Sequence, residues 1–433
     1  MQGKGHSIGL RAVLVIAALT ALATATWAAD HETVLRSFGS HADNGAGNPS
    51  TGMIFDSAGN LYGTTSGGGI HDGGMVFELS PRAGGGWTET VLHYFGGGRD
   101  GWYPYSDLIM DSAGNLYGAT MYGGIYTTHC MGNGCGVVFE LSPRQGGGWS
   151  EKVLHNFGNL EGPDGQAPGG SLVFDGNGNL YGTTYIGGIH TSCDNGVGCG
   201  TVFELSPRED GTWSESVLHS FGNGSDGTFP NGLIIDTAGN LYGTTSSGGI
   251  RDAGSVFELS PREGGGWTET VLHSFDGGTA GANPIAGLVF DSQGNLYGTT
   301  LAGGIHTGCV VQHCGTVFEL SPREDGSWSA QVLHSFGGGS DGATPEGSLI
   351  FDTAGNLYGT TFAGGLHQAG TAFELSPRQG GGWTETILHS FDSVYGDGYS
   401  PDSDLILDSA GNLYGTTSAG GVHYQGTAFE MTP

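Results

Sequence analysis

Positive charge is scarce in this sequence: 12 Lys and Arg stand against 42 Asp and Glu, a formal charge of −30 over 433 residues. Nucleic-acid binding needs clustered basic residues to displace counterions, so that class is excluded. Anionic membrane surfaces are disfavoured on the same ground. The acidity instead favours solubility outside the cell and a weak pull on divalent cations, with calcium the one cofactor it admits. Long apolar runs are also missing, apart from residues 12–25, which follow Lys4 and Arg11 and are too short to span a bilayer comfortably. They read as the core of a signal peptide, residues 1–29 with cleavage somewhere in 25–29. The mature domain is then residues 30–433, without a membrane span, and losing Lys4 and Arg11 takes its charge to −32. No helical period occurs in it, nor a nucleophile elbow, a zincin motif, a phosphate loop or a dinucleotide fingerprint.

What the sequence has is one unit copied seven times. Asp-x-x-Gly-Asn-Leu-Tyr-Gly begins at Asp56, Asp111, Asp175, Asp236, Asp291, Asp352 and Asp408, at steps of 55 to 64 residues. Each copy runs through an apolar segment ending in that Asp, then Leu-Tyr-Gly-Thr-Thr, then Val-Phe-Glu-Leu after a Gly-Gly pair, then Trp-x-Glu-x-Val-Leu-His-Ser-Phe. These are four short strands, A to D, separated by turn chemistry. A four-stranded sheet repeated radially predicts an all-β, seven-bladed propeller with antiparallel blades. The last copy stops after strand C, and residues 31–38 match a strand D with no blade before it. The N-terminal strand is therefore expected to pair with the C-terminal blade and close the ring.

The strings Asn-Leu-Tyr-Gly-Thr-Thr, Gly-x-Val-Phe-Glu-Leu-Ser-Pro and Trp-x-x-x-Val-Leu-His-Ser-Phe resemble the GloVer (Gloeobacter/Verrucomicrobia) tandem repeat of exported bacterial proteins, across the whole mature chain. The resemblance implies export and repeats that precede one of several C-terminal anchors, whereas this sequence reaches Pro433 inside its last repeat without one. It brings no catalytic motif. The Gly-Gly pair and downstream Trp also carry a looser likeness to kelch-type propellers.

The seven turn Asp residues read as β-turn formers that accept backbone N–H groups. The Arg of each Ser-Pro-Arg, such as Arg82 and Arg262, is expected to pair with the turn aspartates and strand C glutamates. The strand D His and Trp series read as rim and inter-blade packing residues.

Differences between copies carry more functional information. The Gly-Gly to Phe distance is 8 residues in blades one, four, six and seven, but 15, 15 and 14 in blades two, three and five, and all six cysteines fall in those three insertions. Local pairs Cys130–Cys135, Cys193–Cys199 and Cys309–Cys314 are expected as disulfides, each stabilising by about 2 kcal/mol. Zinc, with His129, His190, His306 or His313 nearby, is the weaker alternative. The B-to-C and D-to-A loops emerge on one face, where variable loops on a rigid frame place binding groups. That face carries a ring of positions after the Gly-Gly pair: His71, Tyr126, His190, Arg251, His306, His367 and His423. Trp102 and Tyr103, with Tyr395 and Tyr399, are aromatic candidates for stacking on sugar rings. The expectation is a monomeric, secreted or cell-envelope module that binds a glycan or an extracellular protein, with no catalytic or metal residues assigned. A polysaccharide lyase or glycoside hydrolase acting at the axis mouth and a purely structural surface protein are the alternatives.

Overall fold

The computed structural model describes residues 32–432 except positions 42–43, 98, 127–129, 131–132, 160–162, 194–195, 307, 310–313, 338–339 and 395. The expected signal peptide, His129, His313 and Tyr395 lie outside the described residues. Seven antiparallel sheets follow one another along the chain. The first contains Ile54–Phe55, Leu61–Thr65, Met75–Pro81 and Trp87–Tyr94 as strands A to D. The seventh takes its outer strand from the other end of the chain: Glu32–Ser37 pairs antiparallel with Thr427–Met431, Ser37 opposite Thr427. The ring is a seven-bladed propeller closed by its N-terminal strand.

The repeated residues explain the blades. Strand B is buried along its length, and Gly63 sits at its centre because a Cβ there would come within 2.6 Å of the Phe77 ring on strand C. Between blades, the Phe that follows strand D meets the strand C Phe of the next sheet, as in Phe95 with Phe139 at 5.0 Å and Phe221 with Phe257 at 5.0 Å. The Trp that opens strand D packs edge-on against the strand B Tyr of the preceding blade, Trp149 on Tyr62 at 6.3 Å and Trp267 on Tyr181 at 6.1 Å. Fully buried Phe rings thus form the inter-blade core.

Each A-to-B turn is organised by its Asp. Asp236 accepts the Ala238 and Asn240 backbone N–H groups at 2.8 and 2.9 Å, the Asn240 amide at 2.8 Å and the Tyr242 hydroxyl at 3.3 Å. The serine two residues past the strand C Glu donates to it, Ser80 to Glu78 at 2.8 Å. The expected Arg–Glu pairing is corrected here. Arg82 and Arg262 instead donate to Thr88 and Thr268 across the C-to-D turn, at 2.7 and 2.6 Å, because that turn holds the guanidinium over strand D.

The D-to-A connections were expected to be loops, and part of each is ordered strand or bridge. Gly101–Pro104 and Gly165–Pro168 pair with extended B strands, and in blade four Thr228–Ile235 runs straight into strand A. Each connection then passes through a proline that follows a residue in the left-handed region: Asn48, Tyr103, Ala167, Phe229, Asn283, Thr344 and Ser400, with φ from 54° to 66°. That conformation costs on the order of 1 kcal/mol in a residue with a Cβ. What holds it is a hydrogen bond to the preceding blade, Tyr103 N to Gly73 O at 2.9 Å and Asn283 N to Ala253 O at 2.8 Å. All seven prolines are delivered in this way to the axis.

Candidate functional site

From each proline the chain runs inward to strand A, and these segments build a cavity of about 560 Å³ around the axis. Its deeper tier is the residue just before the apolar residue that precedes strand A: Gly52, Asp107, Ser171, Gly232, Gly287, Ser348 and Asp404. Neighbours in this ring touch in turn. Asp107 accepts the Gly52 N–H at 2.6 Å and the Ser171 hydroxyl at 2.6 Å. Ser348 accepts the Gly287 N–H at 3.0 Å and gives its own N–H to Asp404 at 2.5 Å. Gly52 lies against both acids, and a Cβ on it would lie 3.1 Å from both Asp107 Oδ1 and Asp404 Cβ.

The outer tier is the residue after each proline: Ser50, Tyr105, Gly169, Asn231, Ile285, Glu346 and Asp402, all lining the cavity. Polar and apolar groups are distributed unevenly. The acids come from blades two, six and seven, whereas Ile285, Pro230 and Val197 form part of the wall elsewhere. Cys130 and Cys135 of the blade-two insertion complete the lining, so the cavity belongs to the insertion-bearing face. The three disulfides are formed, with Cα separations of 5.2, 5.1 and 5.4 Å. Their second cysteines have a positional role. The carbonyls of Cys135, Cys199 and Cys314 accept the N–H of Ala167, Phe229 and Thr344, the left-handed residues that aim the next blade's segment at the axis.

Burial pushes the Glu346 carboxyl up to about 7. Asp402 is also raised to about 7, by burial and then by the Glu346 charge, and its Oδ1 is buried without a protein hydrogen-bond partner. Asp404 reaches about 7 through burial and the neighbouring Asp107 charge. Desolvation of its hydroxyl at the cavity wall, together with the Asp402 and Glu346 charges, drives Tyr105 up to about 12 while its ring stays partly exposed. At neutral pH these acids are divided between donor and acceptor forms, which suits binding hydroxyl groups or giving up a proton. Two tyrosines add flat apolar surface. Tyr105 is 43% exposed and stacks on Tyr103 at 6.0 Å, and Tyr185 is 44% exposed and stacks on Phe229 at 4.7 Å.

None of the nine ligand candidates read from the sequence lines this cavity. His71, Arg251, His367 and His423 are exposed turn residues, and His367 faces Asp392 at 3.6 Å. Tyr126 and His306 use their carbonyls against the sulfurs of Cys135 and Cys314. His190 is half-buried beside Gly222. Trp102 is tied down by an Nε1 hydrogen bond to the Asp72 carbonyl at 2.8 Å. Tyr103 comes nearest, as the stacking partner of Tyr105, and Tyr399 packs into the apolar core of blade seven. The cavity-lining residues that the sequence reading did not single out are the ones beside the prolines. Their signal was present as Pro-x-x-x-Leu before most A strands, but it lies in the part of the repeat that varies most.

The Gloeobacter/Verrucomicrobia repeat matches residues 21–197, 125–323 and 307–433. Among curated proteins nothing matches. Among solved structures, the chain is similar to a protein assigned as a gluconolactonase, at 14% identity over 83% of this chain and 94% of that one, with a TM-score of 0.42. It is also similar to a gluconolactonase from Xanthomonas campestris, at 15% identity over 69% of this chain and 82% of that one, with a TM-score of 0.39.

Proposed function

The chain belongs to the Gloeobacter/Verrucomicrobia repeat family, and we propose that it is a secreted or cell-envelope propeller that binds a glycan in the axial cavity. Three disulfides fit an oxidising compartment. The reading is carried by one observation: the exposed rings of Tyr105 and Tyr185 share a cavity with Asp107, Glu346, Asp402 and Asp404. Sugar recognition needs that combination, a flat apolar face for the C–H side of a ring and clustered donors and acceptors for its hydroxyls. A concave site suits a chain end or a short oligosaccharide better than a flat protein surface. The test is retention on an array of plant and bacterial polysaccharides, with and without EDTA. Wild type is expected to retain a subset that the Tyr105→Ala and Asp402→Asn variants lose, and retention equal in all three proteins rejects the axial cavity as the site.

A second reading rests on Glu346 and Asp402. Both carboxyls are raised to about 7 in one cavity, and a carboxylic acid still protonated near neutral pH is one of the two groups that glycoside cleavage uses. Release of reducing or unsaturated ends from a retained glycan, abolished in Glu346→Gln, would move the protein from binder to enzyme.

A further inference from the structure

Away from the axis, each blade junction sets the His position of one outer strand against the next blade's outer strand. At five of the seven junctions a His, an Asp and a Glu meet there, as in His155, Asp164 and Glu215, or His334, Asp341 and Glu385. The same residue types recur around His93, His219 and His389. The Asp comes from the D-to-A connection and the Glu from strand D of the following blade, so each triad spans two sheets.

The distances are informative. His334 Nε2 lies 3.3 Å from Asp341 and 3.6 Å from Glu385, and His155 Nε2 lies 3.5 Å from Asp164. A charge-assisted N–H···O bond prefers about 2.7–2.9 Å. Ligand atoms about 2.0–2.1 Å from a tetrahedral ion sit about 3.3 Å from one another. In three triads the donor atoms all fall within 4.8 Å of one another. Furthermore, the Oε1 atoms of Glu151, Glu215 and Glu269 are buried without a hydrogen bond, an arrangement that a cation at the triad would satisfy.

The two exceptional junctions show what the others require. Between blades four and five Ala280 and Ala330 occupy the Asp and Glu positions, so both triad carboxylates are absent together, and the acid beside His273 is Asp276 of the adjoining turn. Between blades seven and one, Arg36 replaces the His and Gly45 the Asp, and the Arg36 guanidinium lies 2.7 Å from Glu89. Neither junction keeps both triad carboxylates. With neutral imidazole each complete triad carries two negative charges, and one divalent cation balances them.

We infer that the five rim triads bind divalent first-row transition ions of the zinc class, each linking one blade to the next. One imidazole nitrogen and two carboxylate oxygens fit such an ion, whereas calcium takes six to eight oxygen ligands. Two protons shared within each triad would balance the same charge, and the experiment separates the two cases. The full chain, stripped with a chelator and dialysed against zinc chloride, is assayed for retained metal by atomic emission and for melting temperature with and without zinc. The expected results are several zinc ions per chain, one fewer in His155→Ala and in Glu215→Gln, and one more in the Ala280→Asp, Ala330→Glu double variant, which builds a triad at the fourth junction. His423→Ala, in an exposed turn, keeps the wild-type number. Zinc is expected to raise the melting temperature of the wild type. Retention below one ion per chain overturns the inference, as does a wild-type count in both His155→Ala and Glu215→Gln, and leaves shared protons as the account.

Discussion

Phe38, just past the first strand of the chain, lies 4.9 Å from Phe77 in the first blade, ring centre to ring centre. Six more Phe pairs repeat this contact around the ring, such as Phe275 with Phe318 at 5.2 Å. Phe38 therefore does at the closure what Phe275 does inside the ring. Truncating either to Ala is expected to destabilise the propeller by about 3–5 kcal/mol, since both rings are almost fully buried. Urea unfolding checks this. A loss below about 1 kcal/mol for Phe38→Ala alone would mean that the ring is not locked at its N-terminal strand.

The turn carboxylates give the fold an acid limit. Burial pushes the carboxyls of Asp56, Asp111, Asp175, Asp291, Asp352 and Asp408 upward, but their Asn, backbone and Tyr donors outweigh it and hold them below the ordinary value of 3.8. A lowered folded value contributes stability that is present above the unfolded value and is lost as pH falls through the folded one. Melting temperature is expected to drop steeply below about pH 4. Asp236→Ala, which leaves several donors without an acceptor, is expected to cost about 1–3 kcal/mol at neutral pH.

The cavity acids act in the opposite direction. With Asp402 at about 7 when folded and 3.8 as its ordinary value, the unfolded chain ionises first as pH rises, so this group lowers stability across that window and keeps it lower above. Asp402→Asn is expected to melt higher than wild type at pH 8 and to show a flatter profile between those two values. Scanning fluorimetry across that range checks it, and parallel profiles would contradict the protonation assigned to Asp402.

The blade-two disulfide couples stability to the site. Cys135 O holds Ala167 N at 2.8 Å, and Ala167 precedes the proline that aims the next segment at the axis. Replacing Cys130 and Cys135 with Ser is expected to cost about 2 kcal/mol by loop entropy. It should also weaken glycan affinity, because the Gln166–Gly169 stretch loses its anchor. Affinity unchanged after the double substitution would show that the insertion only covers the cavity.

Residues that serve the frame were legible in the sequence, because a copied blade needs the same Phe, Gly, Asp and Trp at each turn of the ring. Asp236, Gly63 and Trp149 are constrained by backbone donors, a ring face and a neighbouring Tyr, and these demands repeat. The axis obeys no such rule. Seven segments converge there on one shared space, so Tyr105, Glu346 and Asp402 occupy equivalent positions with unrelated side chains, and the unit repeat conceals them. The His series after the Gly-Gly pair lies outside the axial cavity and is regular for the converse reason. Its regularity comes from a turn, in which the next residue, Asp72, Asp252, Gln368 or Tyr424, takes positive φ. The Arg–Glu pairing failed because charge counting ignores direction: Arg82 points along the C-to-D turn, while Ser80 already serves Glu78.

Saturation-transfer NMR on a retained oligosaccharide tests the glycan account most directly, since it reads which sugar protons lie against protein aromatic protons. The account predicts strong transfer to one face of a sugar ring in wild type and its collapse in Tyr105→Ala, with the fold intact by circular dichroism. Transfer of equal strength in the Tyr105→Ala protein would place the ligand elsewhere and contradict the axial site.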